Sequence, residues 1–81
     1  MADLREFARA ALAQTDEQLS ADCEWQQVVV GPKQTAVLRV THHATGLQVE
    51  VEPRRTEEQT RFIALLYLRN RCYDMLRARG K

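Results

Sequence analysis

Hydrophobic and polar positions change their period twice along this chain. Leu4, Phe7, Ala8, Ala11 and Leu12 fall at i, i+3, i+4, i+7 and i+8, one face of a helix. Asp3 stands at the N-cap, with Glu6 three residues on, which is capping-box spacing. Ala10, Ala11 and Ala13 add helix propensity, so a helix is predicted over about 3–14. Thr15 followed by Gln18 predicts a second, short helical turn over Asp16 to Ser20. The segment 20–22 reads as a connection.

From Glu24 the period becomes two. A Val-rich strand carrying the only Trp is predicted over about 24–30. Gly31-Pro32-Lys33 is a turn signal. A second strand follows over about 35–42, with Ala36, Leu38 and Val40 on one face. Ala44-Thr45-Gly46 turns the chain again. In the third strand, about 47–52, Leu47, Val49 and Val51 face the core while Gln48, Glu50 and Glu52 face water. Pro53 ends it, because it has no N–H for the ladder.

The period then returns to that of a helix, predicted over about 56–79. Thr56 is its N-cap, and Glu57 and Glu58 suit the positive end of the helix dipole. Phe62, Leu65, Leu66, Cys72, Tyr73 and Leu76 are expected to form its apolar stripe, and Gly80 to stop it. The order helix, three strands, helix predicts an α+β fold, αβββα. It is a single small domain over 1–81, with a three-stranded antiparallel sheet packed against two helices.

Composition narrows the function classes. The 81 residues hold 12 Lys and Arg against 11 Asp and Glu, a net charge of +1. That suits one small domain and argues against a strong, purely electrostatic nucleic-acid binder. No apolar run approaches the ~20 residues of a membrane helix. Charges throughout Met1 to Arg9 predict no signal peptide. Cys23 and Cys72 lack CxxC spacing. They read as buried, reduced thiols of a cytoplasmic protein, although one disulfide is also compatible with the sequence.

Candidate chemistry is sparse. His42 and His43 point to opposite faces if they sit in a strand, so one is expected at the sheet edge and one in solvent. Cys23, Cys72 and one His match no usual zinc spacing. No metal or cofactor is expected. Nucleophile elbow, Walker loop, HExxH and Gly-rich fingerprint are all missing, so the chain reads as a non-enzyme. Arg54 and Arg55 precede the last helix, and Arg69, Arg71, Arg77, Arg79 and Lys81 fill its second half. This basic end is either the ordinary answer to the helix dipole or a phosphate-binding tail. Arg69, inside the apolar stripe, is expected to snorkel or to pair with Glu6 or Glu50. Ile63 and Tyr67, one turn apart and off the stripe, form either an exposed patch for a partner or second copy, or a surface covered by the first helix.

Arg39-Val40-Thr41-His42, then Thr45-Gly46-Leu47 and Val49, resembles the catalytic domain of class I peptide-chain release factors and of the related ribosome-rescue hydrolases. Arg55, Ala64, Leu65, Leu68, Arg69, Arg71 and Tyr73-Asp74 extend the likeness over about Ala36 to Asp74. The family's Gly-Gly-Gln motif is missing. Val29-Val30-Gly31-Pro32-Lys33-Gln34 stands in its place, and Gln34 lacks the two glycines that give that motif its backbone freedom. The resemblance therefore implies a scaffold without the hydrolase activity. The element order and Gly31-Pro32 are similar also to double-stranded-RNA-binding domains, which touch RNA with the first helix, that loop and the start of the last helix. Here Glu57 and Glu58 interrupt the basic start.

Together these features favour a non-catalytic RNA- or ribosome-associated module. Its expected contacts are Lys33, Arg54, Arg55, Arg61, Arg71, Arg77, Arg79 and Lys81. The alternative is a small phage- or mobile-element-type protein that binds and inhibits or adapts a host protein, with Ile63 and Tyr67 at the interface. Either a monomer or a homodimer fits, and no membrane partner is expected.

Overall fold

The computed structural model describes residues 3–78. It is an α+β arrangement in the order α1 (Leu4–Ala13), α2 (Asp16–Ala21), β1 (Cys23–Val30), β2 (Thr35–His42), β3 (Gln48–Val51) and α3 (Glu57–Arg77). The strands form one antiparallel sheet in the order β1-β2-β3. The short turn expected after Thr15 is a full helical segment, α2.

Each helix starts where a side chain satisfies its free N–H groups. Asp3 accepts the Arg5 N–H at 3.0 Å. Thr15 with Gln18, and Thr56 with Gln59, form complete reciprocal boxes. The last helix ends at Arg77, with the Ala78 N–H donating to Asp74 O. It therefore stops short of the predicted 79, with Ala78 already outside helical geometry; Arg79, the Gly80 stop and Lys81 lie outside the described residues.

Both hairpins close on left-handed backbone. Gly31 (φ 79°) and Gln34 (φ 55°) bound the first turn, and the Gln34 N–H donates to Gly31 O at 3.0 Å. At the second, the Gly46 N–H donates to His42 O, while the His42 N–H donates to Leu47 O. Two residues thus oppose one, a bulge whose first position needs the positive φ of Gly46 (75°). The bulge keeps Leu47 out of the ladder, and Pro53 follows Glu52. Hence β3 is one residue shorter at each end than predicted.

Register fixes the two faces of the sheet. Cys23 lies opposite His42, Trp25 opposite Val40, and Gln27 opposite Leu38. Leu38 and Val40 also meet Val51 and Val49. This face carries the core: Cys23, Val40, Val49 and Val51 pack with Ala8, Ala11 and Leu19, and with Ala64, Leu65, Leu68 and Cys72 of α3. α3 lies against β3 and β2, α1 lies against α3, and α2 touches β1 and α3.

One face is only partly covered, and one expectation needs correction. Ala36 shares the helix-facing side, yet it is exposed, as are Gln27 and Val29. The β1–β2 hairpin outruns the helices, so its tip is bare. The stripe of α3 is also rotated. Thr60, Ala64, Leu65, Leu68 and Cys72 are buried, and Leu76 partly so, whereas Phe62, Leu66 and Tyr73 face solvent. α3 has apolar residues on two opposite faces, and the predicted stripe mixed them.

Candidate functional site

The basic residues are distributed by the register. Leu38 pairs with Val51, so the chain leaving β3 returns to the end of the sheet where the Gly31–Gln34 turn lies. Pro53, Arg54, Arg55 and the start of α3 are therefore at the same end as Lys33. The connection is anchored by Thr60, which is buried. Its Oγ1 accepts the Arg54 N–H at 2.8 Å and donates to Thr56 O at 3.1 Å.

One turn into α3, the Arg61 guanidinium lies over the Trp25 ring, 5.2 Å from its centroid, within cation–π range. The ring itself is oriented by α2, because Trp25 Nε1–H donates to Ser20 O at 3.0 Å. Trp25, Gln27, Leu38, Pro53, Arg54, Glu57, Thr60 and Arg61 line an open cleft of about 440 Å³. Glu57 supplies a carboxylate at its wall. Among the described residues, none of Lys33, Arg54, Arg55 and Arg61 is in an ion pair, whereas Arg5, Arg39, Arg69 and Arg77 are paired with Asp3, Glu50, Asp16 and Asp74. The partner of Arg69 is thus Asp16, not Glu6 or Glu50. Arg69 also donates to Gln14 O at 3.1 Å, which ties α3 to the junction of α1 and α2.

The other expected contacts are elsewhere. Arg71 and Tyr67 line a groove of about 450 Å³ between α3 and β3, with Gln48, Val49, Glu50 and Asn70. Arg77 is held by Asp74. Ile63 is half-buried against the core and borders a second groove with Arg54, Glu58, Gln59 and Phe62. Ile63 and Tyr67 thus belong to different grooves. Trp25 and Gln27 are members of the basic cleft that charge alone does not reveal. The alternation that places Trp25 on the face of Leu38 and Val40 is the signal that could have found them.

His42 and both cysteines are buried. His42 is 2% exposed, and its Nδ1 is 2.8 Å from Thr45 Oγ1. His43 is exposed. Burial pushes the His42 pKa below its ordinary 6.5, reinforced by His43 and opposed by Asp22. Cys23 and Cys72 are free, buried thiols. Cys23 Sγ donates to Leu19 O at 3.2 Å, and burial raises its pKa to about 11. Burial raises Cys72 too. Thiols in that state are poor nucleophiles at neutral pH. Among the described residues, no three His, Cys, Asp or Glu side chains converge to hold a metal ion, and no helix is long and apolar enough to cross a membrane. Compared with protein-family models, curated proteins and solved structures, the chain matches none.

Proposed function

We propose that the protein is a non-catalytic RNA-binding module of ribosome-associated type, on a scaffold like that of release factors without their catalytic loop. The observation that carries this reading is the cleft at the start of α3. There a fixed Trp25 ring, the Arg61 guanidinium on its face and the unpaired Arg54 meet beside Arg55, with Lys33 farther out, on the hairpin turn that extends from the same end of the sheet. A guanidinium plane held on an aromatic ring is a surface for a splayed base, and the flanking cations suit the phosphates on either side. Glu57 in the same wall favours a bound strand whose backbone stays on the Arg54–Arg55 side.

Phosphate contacts release counterions, so affinity falls steeply with salt. Engaging phosphates with Lys33, Arg54 and Arg55 gives a log–log slope of about −2 on single-stranded RNA. The test is fluorescence anisotropy of a labelled RNA hairpin with a single-stranded overhang, titrated at several salt concentrations. The Arg54→Ala/Arg55→Ala double variant should bind more weakly and with a slope shallower by about 1.5, while its circular dichroism stays unchanged. Quenching of the single Trp should follow the same isotherm. No binding at low salt, or a slope unmoved by the double substitution, overturns this reading in favour of a protein partner.

A further inference from the structure

α3 is apolar on two sides, and the second is covered within the chain only along its Ile63 edge. At about 100° per residue, Thr60, Ala64, Leu65, Leu68 and Cys72 form the buried side. Gln59, Phe62, Ile63, Leu66, Asn70 and Tyr73 occupy the opposite arc of about 100°, with Tyr67 at its margin. That arc carries no charged residue between Gln59 and Tyr73. Yet Phe62 is 58%, Leu66 45%, Tyr67 42% and Tyr73 52% exposed. A surface helix normally confines apolar residues to one stripe and places charge opposite. Two opposed apolar faces are the pattern of a helix packed on both sides.

We infer that this arc of α3 is the interface of a twofold homodimer, in which α3 packs antiparallel against α3 of a second copy. The spacing Gln59, Ile63, Leu66, Asn70, Tyr73, Arg77 runs 4, 3, 4, 3, 4, the seam along which two helices interdigitate at a shallow angle. Charge selects the occupant and its direction. Glu57 and Glu58 stand at one end of α3 and Arg77 at the other. A parallel pair would set Glu57 and Glu58 against their own copies. An antiparallel pair sets Glu58 near Arg77 of the second copy, twice by symmetry, and aligns the helix dipoles favourably. Arg77 already meets Asp74 on its own helix, but that pair is highly exposed, so exchanging it costs little. In this register Ile63 faces Tyr73, and Leu66 faces Asn70.

The size of the surface agrees. A half-exposed aromatic offers on the order of 100 Å². Phe62, Tyr67 and Tyr73 with Leu66 and Ile63 thus supply on the order of 500 Å² per copy. The total of about 1,000 Å² is where specific interfaces begin, so a dimer that dissociates on dilution is expected. The interface leaves Trp25, Arg61 and the Lys33 turn free, and it holds whether or not the protein binds RNA.

Sedimentation velocity on the full 81-residue chain, over a dilution series from micromolar to millimolar, tests the assignment. The mass should rise from 9.4 kDa toward twice that value. Leu66→Glu should remain a monomer throughout, with unchanged circular dichroism and unchanged dilute-limit Tm. Glu58→Arg and Arg77→Glu should each weaken the dimer roughly two- to tenfold, and the double swap should restore it. A wild-type monomer across the series overturns the inference and leaves the arc to a different protein or to solvent. So does a dimer indifferent to Leu66→Glu, or a double swap that restores nothing.

Discussion

The two long faces of α3 carry similar side chains and meet different surroundings. Leu68 and Cys72 are fully buried against the sheet and α1, while Leu66 and Tyr73, about a half-turn round the same helix, are about half exposed. Burial on the inner face follows from small residues as much as large ones. Ala64 sits fully buried in α3, and Ala8 and Ala11 do the same in α1, so the helices approach closely and Leu68 fills what remains. The outer face holds Phe62 and Tyr73, whose bulk would keep α3 away from the sheet. Fit to the neighbouring surface, not hydrophobicity, chose which face turned inward.

That contrast is broken most directly by emptying the inner face. Leu68→Ala removes a side chain that is 0% exposed from the junction of sheet and helices. Loss of transfer free energy and the cavity left behind should cost about 2–5 kcal/mol. In a domain of this size such a cost is a large part of the total stability. Urea unfolding followed by circular dichroism, at dilute protein, measures it. A cost under about 1 kcal/mol would mean that the site collapses around alanine and that Leu68 is not the centre of packing.

The same contrast shows what was legible in the sequence. The strands and both long helices could be read because period and caps agreed. Leu47, Val49 and Val51 alternate cleanly, and Asp3, Thr15 and Thr56 are all N-caps, although Asp3 bonds the Arg5 N–H and does not close the box expected with Glu6. The orientation of α3 could not be read, because a sum over hydrophobic positions averages two opposed stripes into a false one between them. Phe62, Leu66 and Tyr73 dominated that sum by size, while Ala64 and Thr60, which are buried, contributed little. The bare hairpin tip was hidden for a different reason. Alternation tells which face Ala36 and Val29 share, but not how far along the sheet the helices reach. At the basic cleft the arginines were visible as charge, whereas the role of Trp25 depended on which helix crosses its strand.

A smaller effect separates the two ends of the sheet. The end of the sheet at the Gly31–Gln34 turn is open to water, with Val29 and Ala36 exposed, but the other end closes over His42, whose ring is buried and bonded to Thr45. Its folded pKa lies below 6.5, the value the unfolded chain recovers. Between those two values the unfolded state binds the proton and the native state does not, so stability rises with pH there. The contribution is complete above pH 6.5 and is lost as the pH falls through the lower, folded value. Unfolding free energies measured from pH 7.5 down to 5.5 should decline in the wild type, and His42→Gln should flatten most of that slope. Asp3 is also shifted, but downward from 3.8, outside this window. An unchanged slope in His42→Gln would place the pH-sensitive group elsewhere.

The smallest expected effect is the sharpest test of the outer face. Leu66→Ser removes an apolar side chain that is 45% exposed and lies outside the buried core cluster. In a dilute monomer the change should fall within about 0.5 kcal/mol, as for surface substitutions generally. The loss of helix propensity from Leu to Ser accounts for most of that. At higher concentration wild type and variant should diverge. Association stabilises the folded chain by mass action, so the wild-type unfolding midpoint should climb as protein is added, while the variant's should stay level. A large cost already present at infinite dilution would place Leu66 in the packing of its own monomer. Parallel midpoints at every concentration would mean that its exposed side chain contributes neither to the core nor to association.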